Sequence, residues 1–75
     1  LEAGERGGIL PCVLNASDEI AVDAFLHGRI AYLDIERVVG RTLEAFEADP
    51  VESLEQLEDV DARARVEAAR VVSEL

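Results

Sequence analysis

Reactive side chains are concentrated in one short stretch, PCVLNASDE, where residues 11–19 hold a thiol, an amide, a hydroxyl and two carboxylates. A catalytic cysteine needs a nearby base and a lowered pKa. The single histidine, His27, follows Cys12 on the same predicted helix, about 22 Å away at a rise of 1.5 Å per residue. The two side chains therefore cannot pair within one chain. We expect Cys12 to be a small buried or half-buried helix residue, and His27 to interact with the end of its helix.

Other kinds of reactive site find little support in the sequence. A zinc site needs more histidine and cysteine than the chain has. The sequence contains no calcium-binding loop, no G-x-G-x-x-G pattern and no Walker lysine. The acidic runs within residues 44–49 and 52–59 are typical of solvated helix faces. We therefore predict no catalytic, cofactor-binding or metal-binding residue in this segment.

Two polar pairs remain as candidate site residues, Asn15 with Glu19 and Asp61 with Arg65, both at i, i+4 spacing. For the first pair two geometries are open. Either Asn15 or Ser17 caps a helix whose first turn holds the acidic residues that follow. Alternatively, Asn15 and Glu19 share one face of a helix that starts earlier, and bond another part of a larger protein. The second pair is either a surface ion pair or gives Asp61 a capping or interhelical role.

The apolar residues recur at helical spacing and predict an all-α fold, a small bundle of three to four helices. The expected helices cover about residues 11–27, 33–48, 53–59 and 61–74. A bend or turn is expected between the last two because Asp61 interrupts the apolar stripe. The opening LEAGERGG is typical of a frayed helix end followed by a turn, so we expect the bundle to be truncated at its N-terminal helix.

Local signals support these boundaries. Pro11 suits the first helical turn, where its missing N–H would have no partner, and Gly28 provides a left-handed stop. Pro50 disfavours helix at the residue before it and so ends the second helix. Ser53 followed three residues later by Gln56 is the S-x-x-Q form of a capping box.

The charge balance limits the possible partners. Seventeen acidic residues against seven arginines give a formal net charge of −10. Nucleic acid and anionic membrane surfaces would be repelled, so neither is expected as a partner. No apolar run approaches the ~20 residues needed to span a bilayer. The lone cysteine fits a reducing compartment and no export signal is visible, so we expect a cytoplasmic location.

The order of motifs is similar to that of a known family. The segments GGILPCVLNASDEIAVDAFL, RIAYLDI, SLEQL and VDARAR resemble the C-terminal helical domain of 1-deoxy-D-xylulose 5-phosphate reductoisomerase. In that family the corresponding segments are GGT-P-x-x-LNAANE-x-AV-x-AFL, I-x-F-x-DI, a serine-leucine helix start and D-x-x-AR. The present chain departs from them at Cys12, Ser17, Asp18 and Tyr32, each a substitution that preserves size or polarity.

The resemblance implies a role within a larger enzyme. Such an enzyme rearranges and reduces 1-deoxy-D-xylulose 5-phosphate with NADPH and a divalent metal, magnesium or manganese, in the non-mevalonate synthesis of isoprenoid precursors. Its catalytic and cofactor-binding domains precede the helical domain, and the enzyme is a homodimer. Residues 1–75 would then be a supporting domain packed against the catalytic domain, with Asn15, Glu19, Asp61 and Arg65 as structural or interdomain contacts. The alternative is an independent acidic helical module that binds another protein.

Overall fold

The computed structural model describes residues 7–75 and contains three helices in this range. They are α1 (Leu10–Leu26), α2 (Asp34–Glu44) and α3 (Leu54–Glu74), and each packs against the other two. Residues 7–75 contain no strand, so the predicted all-α bundle is confirmed. The truncated N-terminal helix was predicted within residues 1–8. Residues 1–6 lie outside the part of the chain that the structure describes. None of the described helices is both long and apolar enough to cross a membrane.

The boundaries of α1 follow the sequence signals within one residue. Pro11 lies in the first turn. At the other end, Gly28 has a φ of 72°. Its N–H donates to the Phe25 carbonyl at 3.0 Å, while the Arg29 N–H donates to the Ala24 carbonyl at 2.9 Å. This pair of bonds is a Schellman motif, which satisfies carbonyls that the helix end would leave without donors.

The second helix was expected to extend to residue 48, but α2 ends at Glu44. The segment after it turns back to meet the start of α1, where the Asp49 carbonyl accepts a hydrogen bond from the Ile9 N–H at 2.9 Å. Gly8 permits this close approach, since a Cβ there would lie 2.0 Å from the Asp49 carbonyl oxygen. Residues 45–49 therefore connect α2 to the start of α1 instead of continuing the helix, which ends six residues before Pro50.

The predicted break at residues 59–61 is wrong, because α3 is one continuous helix of 21 residues. Val60 and Ala64 occupy the core positions, with Val60 2% exposed. Asp61 lies beside this stripe rather than within it and is half-buried. The helix start is confirmed: Ser53 Oγ accepts from the Gln56 N–H at 3.0 Å. The Gln56 side chain accepts from the Glu52 N–H, one residue earlier than a capping box requires.

The core is made of small and branched aliphatic residues in two clusters. The first lies where the C-terminal halves of α1 and α3 meet α2, and it contains Ala21, Ala24, Ile30, Val38, Ala68, Val71 and Val72. The second lies where the N-terminal halves of α1 and α3 meet, and it contains Ile9, Val13, Ala16, Val60 and Ala64. Alanines at these contacts allow the helix axes to approach closely.

Candidate functional site

The four candidate polar residues form one connected network between α1 and α3. Arg65 donates from Nε to Asp61 Oδ2 at 2.9 Å and from Nη2 to Glu19 Oε1 at 3.0 Å. Asn15 Nδ2 donates to Glu19 Oε2 at 3.2 Å. We call this set the α1–α3 network. Sequence spacing gave the pair within each helix, whereas the bond between Arg65 and Glu19 depends on how the two helices pack.

Of the two geometries left open for Asn15, the capping one is wrong. The helix starts at Leu10, its first turn contains no acidic residue, and no side chain caps it. Ser17 is fully buried, and its hydroxyl donates to the Val13 carbonyl at 2.8 Å. Asn15 and Glu19 therefore lie together on one exposed face of an established helix. Asp61 is connected to α1 through Arg65, which bonds both Asp61 and Glu19.

Two carboxylates share one guanidinium in this network. The hydrogen bond that Arg65 donates to Asp61, followed by the one it donates to Glu19, raises the pKa of Arg65 above its already high usual value. The Arg65 and Glu19 side chains are 36% and 55% exposed. Water therefore screens the interaction, and exposed pairs of this kind contribute roughly 0.2–1 kcal/mol each. The network joins α1 to α3 at the surface, and its contribution to the stability of the bundle is expected to be small.

Cys12 lies beside the network and is half-buried, as expected. Its Sγ donates to the Leu57 carbonyl of α3 at 3.6 Å. Burial raises the pKa of the thiol, the Asp61 carboxylate raises it further, and Arg65 partly opposes both. The thiol is therefore held protonated at neutral pH. A reactive cysteine needs the opposite shift.

His27 lies at the end of α1, where the sequence placed it. Its Nδ1 is 2.8 Å from the Asp23 carbonyl oxygen and 3.5 Å from the Asp23 carboxylate. A proton on Nδ1 would bond this carbonyl in the last turn of the helix. Among residues 7–75, no group of three or more His, Cys, Asp or Glu side chains is arranged to hold a metal ion. The described residues thus do not fit the divalent metal that the resemblance implies for the whole enzyme.

A second surface, which the sequence analysis did not identify, lies on the outer side of α1 and the start of α2. Two adjoining depressions of about 250 and 350 Å³ share Asp18 and Val22 in their walls. We call their lining the acidic-rimmed surface, formed by apolar Val22, Leu26, Tyr32, Leu33 and Ile35 and acidic Asp18, Glu19, Asp23 and Glu36. The recurrence of Leu14, Val22 and Leu26 at multiples of four residues is the sequence signal that could have revealed it.

Comparison with known proteins agrees with the resemblance in the sequence. The family model described as the DXP reductoisomerase C-terminal domain matches residues 1–67. A protein of Geobacillus sp. strain WCH70, named 1-deoxy-D-xylulose 5-phosphate reductoisomerase, is 53% identical over 64 residues, which are 85% of this chain and 17% of that protein.

Two further relatives carry the same name. The protein of Moorella thermoacetica is 45% identical over 75 residues, which are 100% of this chain and 20% of the relative. That of Synechococcus sp. strain JA-2-3B'a(2-13) is 49% identical over 74 residues, which are 96% of this chain and 18% of the relative. The chain thus spans a fifth or less of the length of these relatives. On the strength of the family match and these identities, the chain belongs to the DXP reductoisomerase C-terminal domain family.

Proposed function

We propose that residues 1–75 are the C-terminal domain of an NADPH-dependent 1-deoxy-D-xylulose 5-phosphate reductoisomerase, and that they support its chemistry without taking part in it. The observation that carries this proposal is the family match over residues 1–67 together with relatives of that name at 38% to 53% identity. The relatives are about five times longer than the matched segment, so the reaction belongs to the remainder of the protein.

The chemistry of the described side chains supports the division of roles. Cys12, the candidate nucleophile, donates a hydrogen bond to the backbone of α3, and its raised pKa keeps it protonated. His27 bonds the backbone at the end of its own helix. These groups stabilise helices and helix contacts. NADPH and a magnesium or manganese ion would therefore bind to the catalytic part of a cytoplasmic, homodimeric enzyme.

The α1–α3 network has a structural role in this proposal. Arg65 and Asp61 hold Glu19 on α1, and Glu19 in turn lines one depression of the acidic-rimmed surface. The Asn15 amide bonds the second oxygen of the same carboxylate. The network thereby fixes one edge of a surface that faces outward from the bundle. A contact of Asn15 and Glu19 with the catalytic domain remains a prediction.

Two measurements on the full-length protein test the proposal. First, the protein should oxidise NADPH when given 1-deoxy-D-xylulose 5-phosphate and manganese, and a protein that does not would contradict the assigned activity. Second, the double variant Asn15→Ala, Glu19→Ala should lower the thermal midpoint of unfolding and the turnover number. Asp59→Ala is the matched control, because Asp59 is an exposed carboxylate whose only described partner is Arg63 on its own helix. If the double variant behaves like this control, the supporting role of the network is wrong.

A further inference from the structure

The outer side of α1 is unusual for a helix on the surface of a small bundle. Its inner side is buried, with Val13 and Ala16 fully covered by the other helices. Its outer side carries Leu14 and Leu26, which are 48% and 73% exposed, with Val22 between them. A helix that is apolar on more than one side is normally covered on more than one side. Within the described bundle, the other helices cover only the inner side of α1.

Two large apolar residues lie next to this side of α1, and one of them, Tyr32, is held in place by the core. Tyr32 is 69% exposed and Leu33 is 79% exposed. The Tyr32 ring packs edge-to-face on Phe25, with the ring centroids 5.6 Å apart, and Phe25 packs against the first core cluster. Exposed aromatic and aliphatic side chains on a rigid base lose little entropy when a partner covers them, which is characteristic of the energetic centre of an interface.

The charges around these residues indicate the chemistry of the partner. Every charged residue that lines the two depressions is acidic: Asp18, Glu19, Asp23 and Glu36. Two copies of this chain meeting through the surface would place carboxylates opposite carboxylates, which is unfavourable. A partner that combines apolar side chains with arginine or lysine would complement it.

We propose that the acidic-rimmed surface receives the part of the same polypeptide that precedes this domain, through a segment that presents apolar side chains to Tyr32 and Leu33 and a basic side chain to Asp18 or Glu36. This assignment rests on the proposed function, since it needs the chain to be the C-terminal part of a longer protein. The length supports it: the matched segment is 17% to 20% of the relatives, and the greater part of each lies before a C-terminal domain.

Site-specific photo-crosslinking in the full-length protein tests the assignment directly. The photoreactive residue p-benzoylphenylalanine replaces Leu33 in one protein and Leu54 in another. Leu54 is the matched control, because both leucines lie at a helix N-terminus and are more than 70% exposed. We expect Leu33→p-benzoylphenylalanine to give cross-links within one chain, mapped by mass spectrometry to an apolar and basic segment before residue 1. The same replacement at Leu54 should give none to that segment.

A charge reversal tests the second part of the proposal, that the partner presents a basic side chain. Glu36→Arg should strongly reduce the cross-linking yield at position 33, because it opposes the basic side chain of the partner. Glu55→Arg is its control, since both glutamates lie in the first turn of a helix and lose the same favourable interaction with the helix end. Equal yields in the two variants would overturn the basic character of the partner.

The remaining outcomes also decide the matter. Cross-links at position 33 between two chains would identify a second copy as the occupant and overturn the proposal. Cross-links confined to residues 1–75 would show that no segment before residue 1 covers the surface, with the same consequence. NADPH oxidation measured on the unmodified protein separates the two proposals. An active enzyme without the expected cross-link contradicts only the docking surface, whereas the expected cross-link in an inactive protein contradicts only the assigned reaction.

Discussion

The outer sides of α1 and α3 are suited to different surroundings. On α3, charges of both signs are present and pair: Arg63 bonds Asp59 at 3.4 Å, and Arg70 bonds both Glu67 and Glu74. On α1, all three charged residues are acidic, and Leu14 and Leu26 are exposed beside them. The outer side of α3 therefore resembles an ordinary solvated helix. The outer side of α1 resembles half of an interface.

The inner sides of the same two helices show no such difference. Both present alanine and valine to the shared core, and Ala16 and Ala64 are 0% exposed in the second cluster. The contrast on the outer sides therefore does not come from how the bundle holds itself together. Under the docking proposal, it reflects the partner that covers α1 and not α3. The following predictions test which sides of the two helices are covered and which face water.

The largest effect is expected where the inner sides of α1 and α3 meet. Ala64→Leu adds three carbon atoms at a position with no exposed surface, so it should destabilise the domain by about 1–3 kcal/mol. Ala62→Leu makes the same change on the exposed side of α3 and should stay within about 0.5 kcal/mol. Hydrogen exchange of peptides from α1 and α3 in the full-length protein measures both. An equally large effect at Ala62 would mean that the outer side of α3 is also covered.

A smaller loss of stability is expected when the ion pairs of Arg65, which bridge α1 and α3, are removed. Arg65→Ala removes the guanidinium that joins Glu19 of α1 to Asp61 of α3 and leaves two carboxylates facing each other. We expect a loss of about 1 kcal/mol or less, reduced by high salt, because the groups are more than one third exposed. Hydrogen exchange should speed up in α1 as well as α3.

Arg37→Ala is the control for this bridge. Arg37 pairs with Asp34 on its own helix at 3.9 Å, so its removal should leave exchange in α1 unchanged. A double-mutant cycle between Glu19→Ala and Arg65→Ala isolates their coupling, for which we expect roughly 0.2–1 kcal/mol. A coupling of zero would mean that packing alone orients α1 on α3.

The sequence predicted the features that depend on neighbouring residues. The Gly28 stop and the Ser53 cap were found because each acts within a few residues of its position. The end of α2 was missed because it depends on a hydrogen bond between Ile9 and Asp49, forty positions apart. The break at Asp61 was predicted in error because periodicity alone does not show that Arg65 satisfies a carboxylate at the edge of the core.

For the candidate site, too, the sequence predicted the contacts within each helix and missed those between helices. The i, i+4 rule gave the two halves of the α1–α3 network, but joining them required the packing that brings together Glu19 and Arg65, 46 residues apart in sequence. The acidic-rimmed surface was missed for a related reason. Helical spacing shows that apolar residues recur along α1, but only the packed bundle shows that Val13 is buried and Leu26 faces outward.

The smallest effect is expected from pH on the outer side of α3. The hydrogen bond from Arg70 is the main cause that lowers the pKa of Glu67 below its usual 4.5, against a partly opposing effect of burial. Because the native pKa is the lower one, the folded protein binds fewer protons, and this contribution to stability is fully present above pH 4.5. It is lost as the pH falls through the lowered native value.

Glu67→Gln should therefore flatten the acid limb of stability in α3, measured by hydrogen exchange of its C-terminal half between neutral pH and the acid transition. Arg70→Gln should flatten most of it, since it removes the main partner and leaves only the weaker effect of Arg41 of α2. Adding Arg70→Gln to Glu67→Gln should change nothing further. High salt should weaken the effect, because Arg70 is 53% exposed. A pH dependence that persists unchanged in high salt would mean that this side of α3 is shielded from water, and the contrast between α1 and α3 would fail.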